Sequence, residues 1–154
     1  MNEVCMQGRE FLNAVFGGAK LDLHAELKET PGGCLINIDG ADDSFLLGEG
    51  GELLEAIEHL VNQAHGRSLA RDERIVCDAK NFRATREAEL RAMAQYAAEQ
   101  VRKNGVAFIF APMIANERRL IHLSLAEESD LTTESVGEGA ARRLKVSLKT
   151  PAGL

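Results

Sequence analysis

The chain has 154 residues, 45% of them hydrophobic, and a net charge of −6. That length holds one ordinary domain or two small ones, the apolar content argues against wholesale disorder, and the acidic total argues against indiscriminate nucleic-acid binding. No apolar run approaches the roughly 20 residues that cross a bilayer, and the N-terminus shows no basic-then-apolar signal segment, so a cytoplasmic protein without membrane insertion is expected.

The first predicted element is a helix from about Glu3 to Phe16, with Phe11, Leu12, Val15 and Phe16 on one face and Gly17-Gly18 as its stop. Leu21, Leu23, Ala25 and Leu27 then alternate with polar residues, as a half-buried strand does. Thr30-Pro31-Gly32-Gly33 is a turn, and Cys34 to Ile38 returns as the second strand of a hairpin. A short helical turn, Ser44 to Leu47, leads into Gly48-Glu49-Gly50-Gly51. The next helix runs from Glu52 to about His65. Leu53, Leu54, Ile57, Leu60, Val61 and Ala64 are assigned to its core face, and Glu52, Glu55, Glu58 and Asn62 to a solvated one. Arg74 to Ala79 reads as a strand.

A long helix is predicted over about Arg83 to Asn104, striped by Leu90, Met93, Ala94, Ala97 and Val101 and stopped by Gly105. Val106 to Ala111 is a near-continuous apolar run and is expected to be a buried strand, closed by Pro112. Asn116 is expected to cap a helix reaching about Glu127. Leu131 to Val136 is a strand candidate, and Gly137-Glu138-Gly139 a turn. Arg142 to Lys149 alternates cleanly: Leu144, Val146 and Leu148 point one way, Arg143, Lys145, Ser147 and Lys149 the other.

Charge is unevenly spread. Residues 1–82 hold 7 Lys/Arg against 15 Asp/Glu, and residues 83–154 hold 11 against 9, so the second half is the better candidate for touching phosphate. Cys5, Cys34 and Cys77 are odd in number and widely spaced, which points to small reduced core residues rather than a zinc or redox motif. His24, His59, His65 and His122 are scattered without metal-ligand spacing. No P-loop, dinucleotide fingerprint or nucleophile elbow is present. Neither a catalytic site nor a cofactor or metal site is expected.

Two constellations remain. Gly48 and Gly51 bracket a loop before an amphipathic helix. Such a loop either makes a tight turn or lets a sugar-phosphate backbone approach closely. Phe45-Leu46-Leu47-Gly48-Glu49-Gly50-Gly51, with a strand before it and a helix and strand after it, resembles a KH domain, whose glycine loop clamps single-stranded nucleic acid. Here the loop is acidic: Glu49 lies inside it and Glu52 follows, where the family carries a basic or neutral pair. The second constellation is Asn116-Glu117-Arg118-Arg119-Leu120-Ile121-His122. Arg118 and His122 are four apart and project from one helix face. A guanidinium suits phosphate and an imidazole suits phosphate, sugar or base, while the plain alternative is a solvated helix face.

Arg118-x-x-x-His122 is also the signature of R-three-H domains. Residues 83–149 resemble that family at Arg83-Ala84-Thr85-Arg86, Ala111-Pro112-Met113, Glu117 to His122, Thr132 to Glu138 and the final basic strand. A KH-like part followed by an R-three-H part resembles the bacterial Jag family (the SpoIIIJ-associated proteins), and residues 74–83 resemble the junction between those domains. The resemblance implies an α+β protein, with a KH-like domain over 1–80 packed beside an R-three-H α/β domain over 81–150. It implies binding of single-stranded RNA, or single-stranded DNA, in the cytoplasm, without catalysis, often beside a small KH-domain protein, with links to cell-envelope growth and division. The expected nucleic-acid contacts are Arg118, His122, Arg119, Arg142, Arg143, Lys145, Gly48 and Gly51. The other reading is a protein-interaction module whose KH-like half has lost RNA binding and pairs with another KH protein or with itself. The sequence opens almost directly on the KH-like part, so the extra N-terminal Jag domain of that family is not expected. Tyr96, Phe82 and Phe108 are read as structural, which leaves few bases to be stacked and makes binding lean on phosphates.

Overall fold

The structure, a computed structural model, describes residues 2–31 and 33–149. Gly32 of the expected turn lies outside the described residues. The chain is α+β and divides between Arg83 and Ala84 into two compact units.

The first unit begins with α1 (Glu3–Gly18), whose N-terminus is capped by the Asn2 side chain accepting the Val4 N–H at 2.9 Å. Cys5, Gly8, Leu12 and Phe16, spaced by three or four, form its buried stripe. Gly17 and Gly18 extend the helix rather than stop it, and Ala19 is the C-cap. Strands β1 (His24–Thr30) and β2 (Gly33–Asp39) pair antiparallel, with Thr30 opposite Gly33. β3 (Ile75–Asp78) joins β2 in parallel, giving the order β1-β2-β3. The outer edge of β1 is occupied at one point: the Asn13 amide donates to the Ala25 carbonyl at 3.1 Å and accepts the Ala25 N–H at 2.8 Å. Helices α2 (Ser44–Leu47) and α3 (Glu52–His65) complete this unit, with Leu46, Leu54, Ile57 and Val61 in its core.

Three expectations for this unit are corrected. Glu58 is buried, 4% exposed, not solvated. Its Oε2 accepts from Arg83 Nη2 at 2.6 Å and from the Cys77 N–H at 3.0 Å, and its Oε1 pairs with Arg74. Asn62, one turn on, donates to the Ile75 carbonyl at 2.7 Å and accepts the Ile75 N–H at 2.9 Å. The face of α3 assigned to solvent therefore grips β3. The assigned core face is split accordingly: Leu54, Ile57 and Val61 are buried, whereas Leu53, Leu60 and Ala64 are exposed. Finally, Cys34 is not an isolated thiol. The start of α1 lies over β2, and a disulfide joins Cys5 to Cys34 across 29 positions of sequence, with Cα atoms 5.7 Å apart.

β3 reverses into α4 (Phe82–Asn104) within three residues. Lys80 and Asn81 both take left-handed backbone, at φ 51° and 55°. That is unfavourable for lysine. Lys80 is held by an ion pair to Asp43 at 2.9 Å, and the Asp78 carboxylate accepts the Ala79 N–H at 2.8 Å.

In the second unit α4 and α5 (Ala115–Leu125) cover one face of an antiparallel sheet ordered β4-β6-β5, formed by Phe108–Ile109, Arg143–Leu148 and Leu131–Val136. Leu90, Ala94, Ala97 and Val101 of α4 meet Ile121, Leu125, Leu144 and Val146 in the core. Glu117 is also buried, 5% exposed, and Arg86 grips it with Nε at 2.6 Å and Nη2 at 3.3 Å. That pairing holds the Arg86 guanidinium above its ordinary pKa. Two readings change here. Val106 to Ala111 is not a buried strand: β4 is a two-residue edge strand, and Val106 and Ile109 are exposed. Asn116 is inside α5, whose N-cap is Ile114 and which ends at Leu125.

The Glu58 bonds predict that Glu58→Ala lowers the stability of the first unit by about 2–3 kcal/mol, because the buried Cys77 N–H loses its acceptor and two guanidiniums lose their counter-ion. Hydrogen exchange of the β3 amides in urea reads this, and unchanged protection would contradict the role given to Glu58. Cys77 yields a second test. Burial, then the Glu58 charge, push its thiol from 9.0 up to about 12. The unfolded thiol ionises first, so the native state loses stability as pH rises from 9.0 towards about 12, at a limiting slope of roughly 1.4 kcal/mol per pH unit. The wild-type protein should show this excess alkaline loss over Cys77→Ala in urea titrations.

Candidate nucleic-acid interface

α5 is oriented by Ile121 and Leu125, one turn apart and both buried. That leaves Arg118 and His122, also one turn apart, on the flank facing β5. Thr133 and Ser135 of β5 lie opposite Val146 and Leu144 in the ladder, so they point to the same, helix-covered side of the sheet as those buried residues. The spacings match: four helical residues rise about 6 Å and two strand residues about 6.7 Å. Arg118 Nη1 donates to Ser135 Oγ at 2.9 Å, and His122 Nδ1 is hydrogen-bonded to Thr133 Oγ1. Arg118 Nε donates to the Met113 carbonyl at 3.2 Å. Both signature side chains are thus anchored at one end. Either tautomer makes this bond: with Thr133 as donor the His122 Nε2 carries the proton, and with Nδ1–H as donor Nε2 is an acceptor. The Arg118 Nη2 has no hydrogen-bond partner among the described residues.

These side chains line an open cleft of about 340 Å³, with Arg119 exposed beside them. Glu134 also borders it, 3.9 Å from Lys145. Arg142 lies close by: its carbonyl accepts the Met113 N–H at 3.2 Å, and its own Nη1 donates to the Gly137 carbonyl at 2.7 Å. Arg143 and Lys145 are not brought to the cleft. They alternate with the buried Leu144 and Val146, so their side chains leave the opposite face of the sheet, as does Ile109, the ladder partner of Lys145. The period-two pattern of β6 that made them look like one basic surface is what separates them from Arg118 and His122. Tyr96, 55% exposed, is off the core stripe and touches Phe108 edge-on at 5.9 Å.

Gly48 and Gly51 belong to the first unit and differ in kind. Gly51 has φ 81°, is buried, and a Cβ there would overlap the Phe82 ring, so its glycine is explained by packing. Gly48 has ordinary extended backbone, φ −71° and ψ 162°, and room for a side chain. Glu49 between them adopts left-handed φ 52°. The groove beside the loop is floored by Phe45, Leu53 and Ala56 and rimmed by Glu49 and Glu52. Its rim repels phosphate.

Two arginines of the Arg83-Ala84-Thr85-Arg86 stretch were missed as structural residues. Arg83 and Arg86 are spent on the buried carboxylates Glu58 and Glu117. Nothing local in the sequence marks them, because their partners lie 25 and 31 positions away. Among the described residues no group of three or more His, Cys, Asp or Glu could hold a metal ion, and no helix is long and apolar enough to cross a membrane.

Comparison with known proteins adds to this geometry. Residues 88–148 match the model of the R-three-H domain. A Clostridium symbiosum protein named RNA-binding protein KhpB is 31% identical over 142 residues, covering 91% of this chain and 64% of that protein. The Bacillus subtilis protein of the same name is 33% identical over 115 residues, 73% of this chain and 55% of its own. The Lactiplantibacillus plantarum protein is 29% identical over 114 residues, 74% and 35% respectively. The chain spans less than two thirds of the length of each of these relatives. Over most of its length the chain is therefore similar to proteins named KhpB, and residues 88–148 of its second unit are an R-three-H domain.

Proposed function

We propose that this chain is a single-stranded RNA-binding adaptor of the cytoplasm, without catalytic activity, that holds RNA in the cleft between α5 and β5. The observation that carries the reading is the paired anchoring of Arg118 and His122 on Ser135 and Thr133. It presents a guanidinium edge and an imidazole ring, one helical turn apart, to a phosphate or sugar. Arg119 and Arg142 extend that surface. β5 is an edge strand, so an RNA strand leaving the cleft passes around it to Arg143 and Lys145 on the far face. Single-stranded DNA shares the phosphate chemistry and binds more weakly where a 2′-hydroxyl is read. The relatives are named RNA-binding proteins, which supports RNA as the ligand.

The acidic groove of the first unit favours a second role there. In the proposed division of labour this KH-like unit, with Gly48 and Gly51, holds a protein, such as a small KH-domain partner, and the second unit holds RNA. The Jag resemblance links the resulting complex to cell-envelope growth and division.

Fluorescence anisotropy with a pool of single-stranded RNAs at two salt concentrations tests this. Arg118→Ala/His122→Ala, with folding intact, should weaken binding about 5- to 150-fold, on the order of 1–3 kcal/mol, and flatten the salt dependence. Arg143→Ala/Lys145→Ala should lower affinity uniformly across sequences and cut the log–log salt slope by about 1.4. Glu49→Lys should leave affinity unchanged if the glycine loop is off the RNA path. No binding by the wild-type chain at low salt would sink the RNA reading and leave the protein-interaction reading.

A further inference from the structure

The first unit holds two cysteines that meet and one that stands apart. Cys77 is sealed inside β3, where burial pushes its thiol up to about 12. Cys5 and Cys34 are placed differently. Cys5 stands in the first turn of α1 and Cys34 near the start of β2, with Cα atoms 5.7 Å apart. At that separation the sulfurs can be joined or parted without moving the backbone. Both cysteines line a cleft of about 350 Å³ together with Leu27, Lys28 and Thr30 of β1. Lys28 and Thr30 are exposed on its rim, so the cleft leads from solvent to the two sulfurs.

The bridge fastens only the N-terminal turn of α1 to the sheet. Farther along, the helix is held without it. Leu12 and Phe16 are 0% and 1% exposed, and Gly8 lies so close to Val61 and Ile75 that a Cβ would stand 3.2 Å from each. Opening the bridge therefore frees one turn and leaves the core closed. In the cytoplasm proposed above, disulfides are rare as permanent struts, and those that form are usually transient or redox-sensing. Exchange needs access of a small thiol or disulfide to the sulfur, which the cleft gives to Cys5 and Cys34 and burial denies to Cys77. The Lys28 ammonium on the rim suits a small disulfide that carries carboxylates.

We propose that Cys5 and Cys34 form a reversible thiol–disulfide switch, worked from this cleft by a low-molecular-weight, carboxylate-bearing disulfide and its thiol. In oxidation one cysteine thiolate attacks a sulfur of the small disulfide. That S–S bond breaks, one small thiol leaves, and a mixed disulfide remains on the protein. The second cysteine then attacks the protein sulfur of the mixed disulfide, which closes the Cys5–Cys34 bond and releases the second small thiol. Two electrons pass from the cysteine pair to the small disulfide, and the two cysteine protons end on the two released thiols. Reduction runs the same steps backwards. The exchange itself depends neither on RNA nor on the compartment, and the residues of the α5–β5 cleft take no part in it.

Equilibration of the folded full chain in mixtures of reduced and oxidised glutathione, with acid quenching, alkylation and peptide mass spectrometry, tests it. The Cys5–Cys34 disulfide should dominate in oxidised glutathione, disappear in excess reduced glutathione and return when the mixture is reversed, with Cys77 a thiol throughout. The oxidised chain should melt about 5 °C or more above the reduced one, because the bridge constrains the unfolded chain. Cys34→Ser should trap a glutathione mixed disulfide on Cys5, and Cys5→Ser should trap one on Cys34. Cys77→Ala should keep the full redox response. Lys28→Glu should slow oxidation by oxidised glutathione several-fold but not oxidation by cystamine, a cationic disulfide; equal effects on both would remove Lys28 from the proposal. Cysteines that stay thiols at every ratio, a bridge that survives excess reduced glutathione in the folded chain, or the absence of a mixed disulfide from both serine variants overturns the switch.

Discussion

One buried carboxylate organises the first unit. Glu58 sits on α3, and its oxygens reach the β3 backbone at Cys77, Arg74 just before that strand and the first-turn arginine of α4. A charge in that position is tolerable only because every ligand is present at once. It fixes the rotation of α3, since Glu58 and Asn62 must both face β3. The rotation in turn determines which of the two apolar stripes of α3 is buried. It also sets Phe82 against Gly51, so the glycine loop takes its shape from the same knot of contacts.

The second unit repeats the device with different parts. Arg86, three residues after Arg83, closes on Glu117 inside α5. This spends the acidic residue beside Arg118 and leaves Arg118 itself to the strand hydroxyls. The signature pair is therefore held from behind. Serine and threonine two apart on β5 are as much a part of the motif, physically, as the arginine and histidine four apart on α5, because a strand repeat of two and a helix repeat of four come to nearly the same length.

Most elements were legible because periodicity reports local burial. β5, α3 and the alternation of β6 follow directly from the spacing of their apolar residues. What was not legible depends on partners distant in sequence. Glu58 looks like one more carboxylate on a helix with several, until the Cys77 N–H of β3 arrives 19 residues later. Two apolar stripes on α3 average into one broad face when only spacing is counted. β4 reads as central because its residues are apolar, yet position in the sheet is set by strand order, which no single segment encodes. Within the site, Arg118 and His122 were identified by spacing and, with Arg119, do line one cleft. Arg143 and Lys145 were joined to them by charge alone, and the sheet stands between.

Asn13 has a further consequence. Its amide fills both hydrogen-bonding positions that Ala25 presents on the open side of β1. A chain arriving to add a fourth strand there would have to evict a side chain already making the same two bonds, at no net gain in hydrogen bonding. Strand addition is thereby made less favourable at the Ala25 end of that edge, where only a side-chain contact adds to what is already there.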